Sequence, residues 1–420
     1  MSILDVIELD MGYTTITDQY YRDVAPQRLL DGARTGIVAY LRGRGIAAPQ
    51  VALLRARSDG RGVVPAIERQ LGLAIERYRS RVDARELVYG AIRGELGALG
   101  DPYSVFFRKS ELTGFTHALD GTSFGGIGLV LAGDAAGGYR IDQVFEGSPA
   151  SRGGLAAGDR ILAVDGAPVD RLSAEAISAL LRGRVGTVVR VDLARDGDPA
   201  PRQVALVRAA VTPPDVTAHV LPAHVGYIAL RAFGPAAGEQ VRAALARLRA
   251  QGARATIFDL RGNGGGYESS ALHVASAFVP SGAIVITQTN HGQRRVTDAD
   301  GSAPAPLPLA VLVDRDSASG SELVTGAIAD HRLGMVIGTR TFGKGLVQTM
   351  FPLPDGSAMK VTTARYFTPS GRDIDRIGIT PDISVDEPPD AVRGVAGRDP
   401  QLDAALQSLA SREGSTKSSR

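Results

Sequence analysis

The chain has 420 residues, length for two to four domains, and 44% hydrophobic against 22% charged residues excludes wholesale disorder. Forty-seven basic against 45 acidic residues leave a charge of +2, so the composition implies neither nucleic acid nor an anionic lipid surface as a partner. The absence of cysteine excludes disulfides, thiolate metal sites and a cysteine nucleophile.

The N-terminal MSILDVIELD carries Asp5, Glu8 and Asp10 with no early basic residue, and does not read as a signal peptide. The first hundred residues read as helical and contain an internal repeat at a fixed offset. Tyr20, Val24, Leu29, Gly32, Ala33, Gly36 and Leu41 recur as Tyr78, Val82, Leu87, Gly90, Ala91, Gly94 and Leu99. Two copies are too few for a solenoid, so the region reads as a helical cap or a dimerisation arm. From Leu112 to Arg208 short β runs alternate with glycine turns. Gly126–Leu131, Tyr139–Val144, Arg160–Val164 and Val188–Ala194 read as strands, with one helix at Ser173–Leu181 capped by Ser173. Pro213-Pro214 closes that unit. Beyond it Val225–Leu230, Ala255–Leu260, Ala283–Thr287 and Leu309–Val313 are apolar strand runs. Helical patterns at Ala237–Gln251, Glu268–Phe278 and Glu322–Asp330 alternate with them. The fold class is therefore mixed α/β and multidomain. It comprises a helical region (1–108), a β-rich domain (112–208), an α/β core (209–395), a C-terminal helix (396–411) and a disordered polar tail (412–420). No 18-residue apolar run exists; the best stretch, Ala271–Thr287, is broken by His273, Pro280 and Ser281.

Two motif matches fail on context. GTRTFGK, Gly338–Lys344, fits most of a phosphate-binding loop, but Gly345 replaces the magnesium-holding hydroxyl and Leu346–Thr349 alternates like a strand. GTSFG, Gly121–Gly125, fits a nucleophile elbow around Ser123, yet a strand follows where a helix is required. SASGSE, Ser317–Glu322, is more informative. It ends an apolar strand and opens a helix. Ser319 and Glu322 can form a capping box, and helix N–H groups there can also stabilise an oxyanion, with Ser319 or a neighbour as nucleophile. The six histidines show no recognisable triad pattern. Lys344, between two glycines, is the better base. Only four of the 47 basic residues are lysine, and arginine, used nearly everywhere else, cannot be deprotonated. Its pKa, about 10.4 when free, must be lowered by apolar burial. On the following strand Lys344, Leu346 and Gln348 share a face, so Gln348 can orient the amine. DLRGNGGG, Asp259–Gly266, places three glycines after a strand, which frees N–H groups to face a ligand oxygen.

Taken in order, DPYS, GGIGL, EGSPASRGGLAAGDRILAVDG, GYIALRAF, DLRGNGGG, SASGSE, GTRTFGKGLVQ and TTARYFTPSGRDIDRIGITPDI resemble the C-terminal processing peptidases, serine–lysine enzymes carrying a PDZ domain. The resemblance covers about Val82 to Leu409. It implies Ser319 as nucleophile, Lys344 as general base and Gln348 as its orienter. It also implies backbone N–H groups of Gly265, Gly266 and Gly320 as the oxyanion hole, with no metal or organic cofactor. Gly320 and Gly264 replace the Ala and Pro common in the family. The implied activity is endopeptidase cleavage of proteins whose C-terminal tails a PDZ domain captures. Gly126, Ile127, Gly128 and Leu129 would form the carboxylate loop and receiving strand, and Ile177, Leu180 and Leu181 would wall an apolar pocket. The partners implied are protein or peptide substrates with free C-termini, no nucleic acid, and further copies of the chain through its helical region. Family members work outside the cytoplasm or in the cell envelope. A catalytically silent PDZ scaffold is the rival reading.

Overall fold

The computed structural model describes residues 2–417 except 121–122, 134–137, 146, 171, 173, 213, 389–390 and 392. The expected cap Ser173, the first two residues of GTSFG and Pro213 lie outside the described residues. The chain divides into two units. One comprises Met1–Thr116, Ala283–Asp298 and Gly343–Ile377; the other His117–Gly282, Ala299–Phe342 and Gly378–Arg420. The segment 209–395, expected as one continuous core, thus contributes to both.

The first unit begins with four helices: α1 (Ile3–Gln19), α2 (Pro26–Gly43), α3 (Val63–Tyr78) and α4 (Ala84–Ala98). Their starts are locally encoded. Asp5 and Ser2 exchange hydrogen bonds at the head of α1, Pro26 opens α2, and the Asp83 carboxylate accepts the Arg85 and Glu86 N–H groups of α4. The internal repeat has a structural meaning, for its two copies pack α2 against α4. A Cβ on Gly36 would lie 1.9 Å from the Gly90 carbonyl oxygen, and one on Gly94 2.1 Å from that of Gly32. Only glycine permits this contact between backbones. Around it Leu29, Ala33, Leu41, Leu87 and Ala91 are buried in one core. An antiparallel sheet completes the unit: Val105–Phe107, Ala283–Thr289, Arg294–Asp298, Leu346–Pro352 and Ala358–Phe367. The run at Ala283, expected among the core strands, pairs here with Ala358–Phe367, because crossover connection and not apolar content distinguishes the two sheets.

The second unit carries a β-rich part in which Leu129–Gly133, Tyr139–Val144, Arg160–Val164, Val188–Ala194 and Arg202–Val207 form one sheet over the helix Ala174–Leu181. The single strand expected over Gly126–Leu131 is divided. Phe124–Gly126 pairs with Ala209–Val211, and Gly128, at φ 82°, turns the chain before Leu129. The α/β part is a sheet in the order Val216–Leu221, Val225–Leu230, Ala255–Asp259, Leu309–Val313, Gly334–Gly338 and Ile383–Ser384, parallel after its first pair. Every residue of Ala255–Asp259 and Leu309–Val313 is buried, which is why these strands read as continuous apolar runs instead of alternating. The helix Pro400–Lys417 enters the polar stretch 412–420 for which the sequence predicts disorder, of which 418–420 lie outside the described residues, and Leu402, Ala405 and Leu409 hold the helix on the sheet.

Candidate active site

Ala255–Asp259 and Leu309–Val313 are parallel neighbours, so their C-terminal ends present DLRGNGGG and SASGSE side by side, where open α/β sheets place their ligands. The first loop is held by buried charge. The Arg261 guanidinium, fully buried, grips Asp259 behind it and Asp399 beyond it, at 2.9 and 2.8 Å for the two Asp399 oxygens. The Tyr227 hydroxyl donates to Asp259 at 2.6 Å, and the Gly262 N–H to the Asp314 carboxylate at 3.0 Å. Burial alone would raise the Asp314 and Asp399 carboxyls, but their hydrogen bonds and the Arg393 and Arg261 guanidinium groups hold both below the usual range. Asn263 threads the loop. Its amide donates to the Leu230 carbonyl at 2.8 Å, and its carbonyl accepts from the Ala318 N–H at 3.0 Å and the Ser321 hydroxyl at 2.8 Å.

Three serines alternate in SASGSE, and the structure separates their roles. Ser317 and Ser321 are buried and committed: Ser317 Oγ donates to the Leu260 carbonyl at 2.8 Å and accepts the Asp314 N–H at 2.9 Å, while Ser321 holds Asn263. Ser319 is half-buried at φ 55°, ψ −110°, a conformation disfavoured for any residue with a Cβ. It is the N-cap of Gly320–Asp330, and its N–H donates to Glu322 at 3.0 Å. Glu322 also accepts from the Thr341 hydroxyl at 2.6 Å, which in turn accepts the Ile379 N–H at 2.7 Å. The glycine loop presses on this turn: a Cβ at Gly265 would lie 2.9 Å from Ser319 Cβ and 3.2 Å from the Gly320 nitrogen. The Gly265 N–H, expected as an oxyanion donor, donates here to Asn263 Oδ1 at 2.9 Å. The N–H groups of Gly266 and Gly320 take no acceptor among the described residues.

Lys344 and Gln348 belong to the other unit. The strand begins at Leu346, so Lys344 precedes it, and an irregularity in pairing falls between Val347 and Gln348. The alternation that put both side chains on one face of a strand therefore does not extend to Lys344. Its backbone is fixed on both sides: Gly343 accepts the Arg376 N–H at 2.7 Å and Gly345 accepts the Tyr366 N–H at 2.9 Å. Gly345 is required by close approach, since a Cβ there would lie 2.9 Å from the Asp375 nitrogen. Lys344 Nζ lies 4.9 Å from the centroid of the Tyr103 ring. Gln348 Nε2 is buried without a hydrogen-bond partner among the described residues.

In the β-rich part Ile127, Ile177 and Leu181 are core residues and Leu180 is 38% exposed. Gly128 is demanded by its neighbour, because a Cβ would lie 2.4 Å from Ser148 Cβ. Leu129–Gly133 pairs only with Tyr139–Val144 among the described residues and so offers a free edge.

The chain matches the model of peptidase family S41 over residues 224–385, that of the PDZ domain over 140–195 and that of the activating protease CtpB N-terminal domain over 58–111. It is 38% identical to the chloroplastic C-terminal processing peptidase of Tetradesmus obliquus, over 73% of this chain and 69% of that one. The chain belongs to the C-terminal processing peptidases. A carboxyl-terminal-processing protease of Synechocystis is 34% identical over 74% of each chain. The solved photosystem II D1 C-terminal processing protease superposes with a TM-score of 0.51 at 30% identity, covering 92% of this chain and 94% of that one. This peptidase is thus a serine-type protease with a PDZ domain that acts on proteins. No helix among its described residues is long and apolar enough to cross a membrane. Sequence reasoning missed the residues that brace the site: Asn263, Asp314, Thr341, Arg393 and Asp399. Of these only Asp399 had a signal, an Asp-Pro pair at a helix start.

Proposed function

We propose that Ser319 is the nucleophile and Lys344 its general base. The observation that carries the reading is Ser319 itself. Of the three serines it alone takes a strained backbone, at a helix N-terminus, against a glycine loop with free donors. Neutral Lys344 takes the Ser319 proton as Oγ bonds to the substrate carbonyl carbon. The N–H groups of Gly266 and Gly320 then hold the oxyanion, the amine leaves with a proton from the lysine, and water hydrolyses the acyl-enzyme. Gln348 orients the lysine. Ser319→Ala should abolish cleavage of an unfolded protein substrate in a folded enzyme; unchanged cleavage would leave Ser319 as a helix cap only.

The PDZ domain, in this reading, captures a free C-terminus. The peptide adds to the open edge of Leu129–Gly133, with its carboxylate in the Gly126–Gly128 loop. A peptide with an amidated C-terminus should bind more weakly than the free acid, and equal affinity would refute carboxylate capture. We further infer that copies associate through the helical region, where Ile3 and Ile7 of α1 are 83% and 43% exposed, and that the peptidase works outside the cytoplasm, as its family resemblance implies. Light scattering on the full chain and cell fractionation test these two points.

A further inference from the structure

DPYS belongs to the family resemblance, and the mechanism above gives it no work. Asp101 builds it into a rigid turn, accepting the Tyr103 N–H at 2.9 Å and the Ser104 hydroxyl at 2.7 Å. The turn is riveted to the long strand Ala358–Phe367: the Thr362 hydroxyl donates to Asp101 at 2.6 Å, and the Thr362 N–H donates to Ser104 Oγ at 3.0 Å. Tyr103 also packs on the helical core. Its backbone is thus pinned by the turn and its ring by the core, and the ring turns its π face to Lys344, the centroid 4.9 Å from Nζ. Asp101, at the head of this turn, is engaged by three donors, and Asp375 packs against Gly345, the residue after the lysine.

We propose that Tyr103 is a positioning residue for the general base, holding Lys344 in place and stabilising the ammonium that forms when it takes the Ser319 proton. This rests on the serine–lysine reading above. A base that gains a proton in the transition state gains a positive charge there, and an aromatic face attracts that charge without offering a proton of its own. A carboxylate in the same place would hold the resting lysine charged and idle; a ring attracts more gently.

The test replaces the ring's electrostatics and keeps its shape. Tyr103→Phe, Tyr103→Leu and the full-length enzyme carrying pentafluorophenylalanine at position 103 are compared with a quenched fluorogenic peptide ending in a free apolar C-terminus. Rates are taken on the alkaline plateau, where the resting lysine is neutral, and melting temperatures confirm folding. Tyr103→Phe, which keeps an electron-rich ring of the same shape, is the reference against which the other two are read. Leucine and the pentafluoro ring, whose face is electropositive, should lower kcat between about twofold and about thirtyfold at constant KM. Lys344→Ala is measured alongside. If it is active, the serine–lysine reading fails. If it is inactive while the pentafluoro enzyme matches Tyr103→Phe, the reading stands and the role of Tyr103 is overturned.

Discussion

The backbone at Ser319 makes a prediction about stability that is separate from the one about chemistry. At φ 55°, ψ −110° the residue stands where a side chain clashes with its own backbone and only glycine is comfortable. Holding a non-glycine residue in such a region costs about 1–3 kcal/mol. Ser319→Ala keeps the Cβ and hence the strain, and loses at most the hydroxyl's capping contribution, about 1 kcal/mol. Ser319→Gly removes the strain but gains unfolded-state freedom worth about 0.5–1 kcal/mol. The glycine enzyme should therefore be the more stable of the two by about 0.5–2 kcal/mol, although both are inactive. Urea denaturation followed by tyrosine fluorescence reads the difference, the chain having 11 tyrosines and no tryptophan. At an unstrained position the order reverses, with glycine the less stable by its entropy alone. That reversed order would refute the strain and, with it, the geometric ground for choosing Ser319.

Lys344→Arg should be as inactive as Lys344→Ala in the same peptidase assay, because a permanently charged guanidinium cannot take a proton; an active arginine enzyme would return attention to the histidines. Gly36→Ala should destabilise by about 1–3 kcal/mol, since its Cβ would lie 1.9 Å from a carbonyl oxygen of α4. Gly72→Ala in α3, with open space around it, should instead stabilise by about 0.5–1 kcal/mol, and thermal melts compare the two. Glu95 is fully buried with both carboxylate oxygens unpartnered among the described residues, and burial raises its pKa well above 4.5. Below that value folded and unfolded chains are both protonated there. As pH rises past it only the unfolded chain ionises freely, so stability is lost. Glu95→Met should thus raise the melting temperature at pH 8 relative to wild type, with the gain shrinking towards pH 4.

Much of this fold was legible because its signals are local. The strands Tyr139–Val144, Val188–Ala194 and Leu309–Val313 announce themselves by β-branched runs between turn residues, and their bounds agree with the structure. The offset repeat showed two like helical segments and read as a cap or dimerisation arm; that Gly32 and Gly36 meet Gly94 and Gly90 it could not show, since a sequence shows that two segments are alike without showing that they touch. Assignment of strands to sheets was illegible for the same reason. Ala283–Thr289 is as apolar as its neighbours in the chain, and only long-range pairing puts it in the antiparallel sheet. At the site, Ser319 and Lys344 were conspicuous by motif and by residue choice. That the Gly265 N–H is taken up by the side chain of Asn263, two residues back, was not legible, because it depends on how that side chain folds over the loop.

The arrangement around Ser319 shows how the two outer serines of the motif support the middle one, the proposed nucleophile. A strained turn persists only where its surroundings over-determine it. Ser317 fastens one side to Leu260, just past the strand Ala255–Asp259, and Ser321 fastens the other to Asn263. Glu322 closes the turn from within by taking the Ser319 N–H, and Thr341 keeps that carboxylate from swinging away. The glycine loop on the far side cannot retreat, because Arg261 is locked between Asp259 and Asp399. A buried guanidinium with two carboxylates adds little net stability over an apolar replacement, but it admits only one geometry. Position, not stability, is what the charge network contributes. The flanking hydroxyls are spent on structure, and between them they hold the turn that carries the proposed nucleophile.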